Sequence, residues 1–212
     1  MRKFTLFLTL FFATAMTMFA QDGVIDLTFN KVSATEATVN VASETLDVTS
    51  ITADIKANYD WKSLTANNET FPNASILCPD KNTNSMSAGN EGIITLTLNN
   101  VPAGYTFNKI TFTSAAINGA GEFQGDDVNA QHVNFTLKQG EKTLGTAENV
   151  AIKVDSNKGQ SVVIPFEMTE KCTPVDGKLE LQLILSVTES KGCFYGLVKV
   201  SLDTKVEKEA AP

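Results

Sequence analysis

The sequence predicts an all-β protein, an antiparallel β-sandwich. Apolar residues alternate with polar ones in run after run, turn-forming Gly, Pro and Asn separate the runs, and nothing after residue 20 keeps a 3.6-residue apolar period between helix caps.

The chain opens differently. Arg2 and Lys3 precede Phe4 to Ala20, a run without charge, and the first acid is Asp22. A short basic head, an apolar run and a small residue before a polar start predict a secretory signal peptide over 1–20. The run sits at the lower limit of a membrane span and contains four Thr. Met18 is bulky for its place before the expected cut. Removing Arg2 and Lys3 takes the 17 basic residues to 15, against 24 acids, so the net charge moves from −7 to −9. A chain this acidic has no basic footprint for nucleic acid. No later run is long enough to cross a bilayer, so the expected location is secreted, periplasmic or cell-surface.

Residues 21–48 are expected to form strands packed on the main domain, because the Thr and Val of Lys31 to Ile55 favour strands over helix. Residues 49–204 form the sandwich. Ile94, Leu96 and Leu98 alternate with Thr95 and Thr97, and Val133, Phe135 and Leu137 alternate with His132, Asn134, Thr136 and Lys138. Val150, Ile152 and Val154 repeat the pattern, and Pro165 puts the strand around it at a sheet edge or on a bulge. Leu179, Leu181, Leu183, Leu185 and Val187 form a long one-sided strand; Val198, Val200 and Leu202 face inward on the closing strand. Asn99 to Gly104, Gln139 to Glu141, Ser156 to Gly159, Pro174 to Gly177 and Ser190 to Gly192 are turns. Residues 205–212 read as a charged, frayed tail.

Three cysteines allow at most one disulfide. The extended strand Lys178 to Val187 carries the chain about 30 Å between Cys172 and Cys193, which disfavours that pair unless the loop after Cys172 folds along the strand, while Cys78 with Cys193 stays open beside the alternative of free thiols.

His132 is the only histidine, so any Ser-His-Asp or Cys-His device would run through it, and a multi-histidine zinc site is excluded by count. It falls on the outward face of its strand. Asp126, Asp127 and Asn129 offer oxygen ligands suited to Ca²⁺, though without the spacing of a Ca²⁺ loop; no other cofactor is expected. Asn68-Glu69-Thr70, Asn73-Ala74-Ser75 and Asn134-Phe135-Thr136 match the glycosylation triplet.

Sugar recognition shows itself in aromatic rings, which cover the apolar face of a pyranose while nearby polar groups bond its hydroxyls. Trp61 is the single tryptophan, beside Tyr59 and Asp60 and followed by Asn67 and Asn68. These five residues are the candidate ligand site, the alternative for Trp61 being a place in the core.

Gly92 to Leu98 followed by Tyr105 to Phe112, and Leu179 to Val187 followed by Cys193 to Val200, resemble paired strands of the galactose-binding-like (discoidin-type) jelly roll. Ile76-Leu77-Cys78-Pro79, His132-Val133-Asn134-Phe135 and Gly192-Cys193-Phe194-Tyr195-Gly196-Leu197 are similar to accessory modules of secreted Bacteroidetes proteins, of the kind attached to sialidases and other glycoside hydrolases. The resemblance spans about Thr49 to Asp203. It implies a non-catalytic jelly roll that attaches to glycans or organises a larger secreted enzyme, and it carries no binding role for Cys78, His132 or Cys193. The expected function is thus a secreted, non-catalytic carbohydrate-binding module whose partner is a glycan or polysaccharide. A cell-envelope structural or protein-interaction domain is the first alternative. A small secreted glycoside hydrolase using paired carboxylates is the second.

Overall fold

The computed structural model describes residues 19–31, 37–57, 61–63, 75–77, 91–118, 131–152, 162–187 and 193–208. Twelve strands follow in order: β1 (Phe19–Lys31), β2 (Ala37–Ala42), β3 (Thr52–Ala57), β4 (Trp61–Ser63), β5 (Ser75–Leu77), β6 (Glu91–Asn99), β7 (Tyr105–Asn118), β8 (Gln131–Gln139), β9 (Lys142–Ile152), β10 (Val162–Cys172), β11 (Leu179–Val187) and β12 (Cys193–Lys208). Their pairings are all antiparallel.

Two five-stranded sheets form the body. The first has the order β10-β7-β12-β1-β2 and the second β3-β6-β11-β8-β9, while β4 and β5 make a separate small hairpin. Consecutive strands repeatedly change sheet, so most neighbours are distant in sequence. The first and last strands pair, Phe19 with Lys208 through to Thr28 with Lys199. Residues of the 21–48 block therefore lie inside the first sheet, with β1 between β12 and β2.

The alternation read from the sequence becomes the core. Ile94, Leu96 and Leu98, then Val133, Phe135 and Leu137, then Leu179, Leu181, Leu183 and Leu185 are buried on the second sheet. They meet Ile25, Leu27, Phe29, Phe107, Ile110, Phe112, Val200 and Leu202 from the first. Each such side chain contributes about 1.5–3 kcal/mol on burial. A void of about 10 Å³ between the sheets is lined by apolar side chains of both. It is dry, because water there would find no polar partner.

The last strand corrects one expectation and adds an irregularity. Leu197 and Val200 are both buried although three residues apart, which a regular strand forbids; a register shift between Leu197 and Lys199 takes up the odd residue. The side chain of Val198, expected inward, lies outside the described set. Residues 205–208 are not a frayed tail, because Lys205 to Lys208 continue β12 against β1 and Val206 is buried. Pro165 does lie on an edge strand, β10. Val154 and residues 1–18 fall outside the described residues, and so does the expected signal peptide apart from Phe19 and Ala20.

One end of the sandwich is closed by short turns. Val175 and Lys178 exchange two backbone hydrogen bonds (2.8 and 2.9 Å) around Asp176 and Gly177, both at positive φ (50° and 73°), the geometry an Asp-Gly hairpin favours. Val101 N–H donates to Gly177 O at 2.9 Å, and Tyr105 Oη donates to Asp47 O at 2.9 Å. Buried Leu46 and Ile51 plug the core at this end. We call it the turn pole. The opposite end, where β1, β3, β7, β9 and β11 finish and β2, β6, β8, β10 and β12 begin, is the loop pole.

Candidate functional site

Topology decides what the loop pole collects. Ala57 of β3 pairs with Ile94 of β6, Ser186 with Glu91, Asn118 with Cys193, and Gln131 with Ile152. Every described strand end bordering segments 58–60, 119–130, 153–161 and 188–192 therefore points the same way. Ala57, which precedes the segment of Tyr59 and Asp60, and Asn118, which precedes the segment of Asp126, Asp127 and Asn129, both end their strands at this pole.

Of these residues only Trp61 belongs to a described element. It opens β4 and pairs with Leu77 of β5, and this hairpin lies against β1 and β12. Its side chain lies outside the described set, as do Tyr59, Asp60, Asn67, Asn68, Asp126, Asp127 and Asn129. The glycosylation triplets at Asn68 and Asn73 and residue Cys78 fall outside it too. His132 is half-buried at the start of β8, on the face opposite Val133. Among the described residues no group of three or more His, Cys, Asp or Glu could hold a metal ion, and no helix is long and apolar enough to cross a membrane.

A polar concavity lies elsewhere, on the outer face of the first sheet. A cleft of about 680 Å³ is lined by Asp22, Asp26, Asn108, Lys199, Ser201 and Asp203 among others. Alternation along β1 turns Ile25 and Leu27 inward and so turns Asp26 out. Asp26 opposes Ser201 on β12. Ser201 Oγ donates to Asp26 Oδ1 at 2.6 Å and Lys199 Nζ donates to Oδ2 at 2.8 Å. Both carboxylate oxygens are thus engaged and the side chain is held in one orientation. The ion pair is more than a third exposed on both sides, so it adds at most about 1 kcal/mol to stability. Asp203 lies diagonal to Asp26 across the β1–β12 pair, a relation that spans about 7–8 Å.

The sequence reading did not single out this cluster. Its signal was present only as polar residues alternating with the buried faces of β1 and β12. Nothing local shows that positions 173 residues apart share one carboxylate.

Cys172, in contrast, is wholly buried. Its thiol donates to Gln139 Oε1 at 3.1 Å, and burial pushes its pKa up to about 11 against a smaller opposing effect of Lys142. Cys172 stands opposite Phe107, and Cys193 opposite Asn118, at the two ends of β7. That is about 36 Å of strand at the usual rise, so these two cysteines cannot bridge.

No family model and no curated protein matches the chain. Among solved structures, arabinose-bound MgGH51 α-L-arabinofuranosidase aligns at 10% identity with a TM-score of 0.36, over 76% of this chain and 23% of that one. A cyclase from Fischerella sp. TAU in complex with 4-(1H-indol-3-yl)butan-2-one aligns at 14% and 0.36, over 95% and 94%. BuGH86 in complex with neoagarooctaose aligns at 11% and 0.31, over 90% and 28%. The chain thus spans about a quarter of each of the two glycoside hydrolases. Likenesses this remote assign no activity to it.

Proposed function

We propose that this protein is a secreted, non-catalytic jelly-roll module that binds a glycan or polysaccharide through the loop pole. The jelly-roll reading is supported by strand order: β10-β7-β12-β1 in one sheet and β6-β11-β8-β9 in the other nest hairpin-like pairs, as two Greek keys do. On this reading β2 and β3 are an added pair on one side. Export is supported by the basic, apolar and small-residue order of 1–20.

One observation carries the binding assignment. Ala57, two residues before Tyr59 and four before Trp61, ends its strand at the pole of long connections, where binding residues concentrate on a rigid scaffold. Trp61 stacks on the sugar ring, and the amides and Asp60 bond its hydroxyls. Isothermal titration and a glycan array with mucin glycans and plant polysaccharides test this. Binding that Trp61→Ala weakens at least about tenfold, the loss of a major stacking contact, is expected. No binding across the panel at millimolar ligand overturns it.

A specific observation also favours the hydrolase alternative: Asp22, Asp26 and Asp203 share one cleft. Against it, both oxygens of Asp26 are already engaged by Lys199 and Ser201. Turnover of any glycoside that Asp26→Asn and Asp203→Asn abolish would establish the enzyme. For the envelope-scaffold alternative, tryptophan emission that is blue-shifted, shielded from iodide and unmoved by sugars is the distinguishing result.

A further inference from the structure

The four outermost strands of the sandwich are not alike. β10 carries Pro165 and a register shift between Glu167 and Cys172. β9 carries two register shifts against β8, besides exposed Lys142 and Glu148. Proline, bulges and charge are what keep a bare sheet edge from recruiting another strand. β2 has none of them. Ala37-Thr38-Val39-Asn40-Val41-Ala42 is uncharged, free of proline and in unbroken register with β1.

β3 is the edge of the second sheet on the same side. The core-facing residues of both strands, Ala37, Val39, Val41, Ala53, Ile55 and Ala57, remain only half-buried although they pack on the core. Val39 and Ile55 line one cleft of about 850 Å³ that runs along this side. Among the described residues, no strand covers it.

We propose that this side joins two copies of the chain through a twofold axis passing between the paired Val39 residues and the paired Ile55 residues. The occupant follows from self-complementarity, which an interface of two identical patches demands. Antiparallel pairing of β2 about Val39 sets Ala37 opposite Val41 of the second copy and Thr38 opposite its Asn40. Apolar side chains then meet on the core face and polar ones on the outer face. Pairing about Ile55 sets Asp54 opposite Lys56 of the second copy and Lys56 opposite its Asp54. Each copy contributes both members of an attractive cross-strand pair. A foreign strand has no reason to carry this acid-base order in reverse. The dimer completes the burial of the half-exposed Val39, Val41 and Ile55 and pairs both edge strands.

Sedimentation velocity of the purified protein, from micromolar to millimolar, tests the proposal. A concentration-dependent dimer is expected. Asp54→Lys alone and Lys56→Asp alone each replace two attractive pairs by two repulsive ones and weaken it about tenfold or more. Both substitutions in one chain restore it, and an equimolar mixture of the two single variants forms a heterodimer although each alone is monomeric. Asp54 also accepts a bond from Asn99 at 2.8 Å; its loss lowers the thermal midpoint slightly in Asp54→Lys and in the double variant alike and so cannot imitate the rescue. A wild-type monomer throughout the range, or a dimer indifferent to the single charge variants, overturns the proposal.

Discussion

Cys172 shows how far one residue's surroundings can change its chemistry. The thiolate is the reactive form, and burial keeps the thiol protonated to about pH 11. Native protein should therefore leave Cys172 unlabelled by a thiol reagent at pH 8, and urea should expose it, as peptide mapping would show. The linkage has a definite sign. The unfolded thiol loses its proton near pH 9 while the folded one keeps its proton to about 11, so stability falls as pH rises through that window. Tyr105, raised in the same direction by burial and by the Asp47 carboxylate, adds to the alkaline loss. Cys172→Ser should flatten the dependence between pH 9 and 11 in thermal melts. Gly104 and Gly140 make a second residue-scale contrast. Both have positive φ (87° and 56°), but a Cβ at Gly104 would collide with the backbone carbonyl of Glu207, while one at Gly140 meets nothing. Gly140→Ala should cost about 1–2 kcal/mol for its left-handed backbone alone. Gly104→Ala should cost more, because β12 must shift, and urea titration separates the two.

Each strand divides its residues between two faces, and the division predicts what a mutation costs. On β11, Leu183 is 2% exposed between the sheets, whereas Gln182 lies on the outer face. Leu183→Ala should lose about 2–5 kcal/mol, because a cavity adds to the lost transfer energy. Gln182→Ala should stay within about 0.5 kcal/mol. β12 departs from this simple rule at its register shift, which lets Leu197 and Val200 both face inward. Its last turn of pairing matters as well. Deleting 205–212 removes buried Val206 and strips β1 of its partners from Phe19 to Asp22. Loss of about 2–3 kcal/mol from that side chain should lower the melting midpoint by roughly 5–10 °C in a domain of this size.

The whole molecule is a sandwich with unequal ends and unequal sides. The turn pole is knit by short backbone bonds such as Glu207 N–H to Gly104 O at 3.0 Å, and it fixes the register of strands that run to the loop pole. Stiffness at one end and long connections at the other suit a scaffold that presents a binding surface. The sides differ too, with β9 and β10 protected by bulges and Pro165 while β2 and β3 are left regular. If the loop pole binds glycan and the β2–β3 side joins copies, each dimer carries two sites, and its avidity for a repetitive polysaccharide exceeds that of the monomer without any new sugar contact. Asp54→Lys alone or Lys56→Asp alone should then lose avidity for polymer while keeping affinity for a short oligosaccharide.

Much of the fold was legible along the chain. Val133, Phe135 and Leu137, or Leu179 to Leu185, announce strands and even their inward faces, because a period of two is a local property of the backbone and side-chain polarity decides which face water leaves. Pro165 announced an edge for an equally local reason, its missing N–H. The continuation of β12 through Val206 was not legible: Lys205, Glu207 and Lys208 look like a solvated tail until β1 is laid beside them. The same is true of the Asp26–Lys199–Ser201 cluster and of the inward turn of Leu197. Alternating residues alone determined that this chain builds one-sided strands around an apolar core. Which strands became neighbours, which side was left open and which carboxylates share a cleft were decided only by tertiary structure, because antiparallel pairing joins residues far apart in the chain and a bulge can reverse the face of everything beyond it.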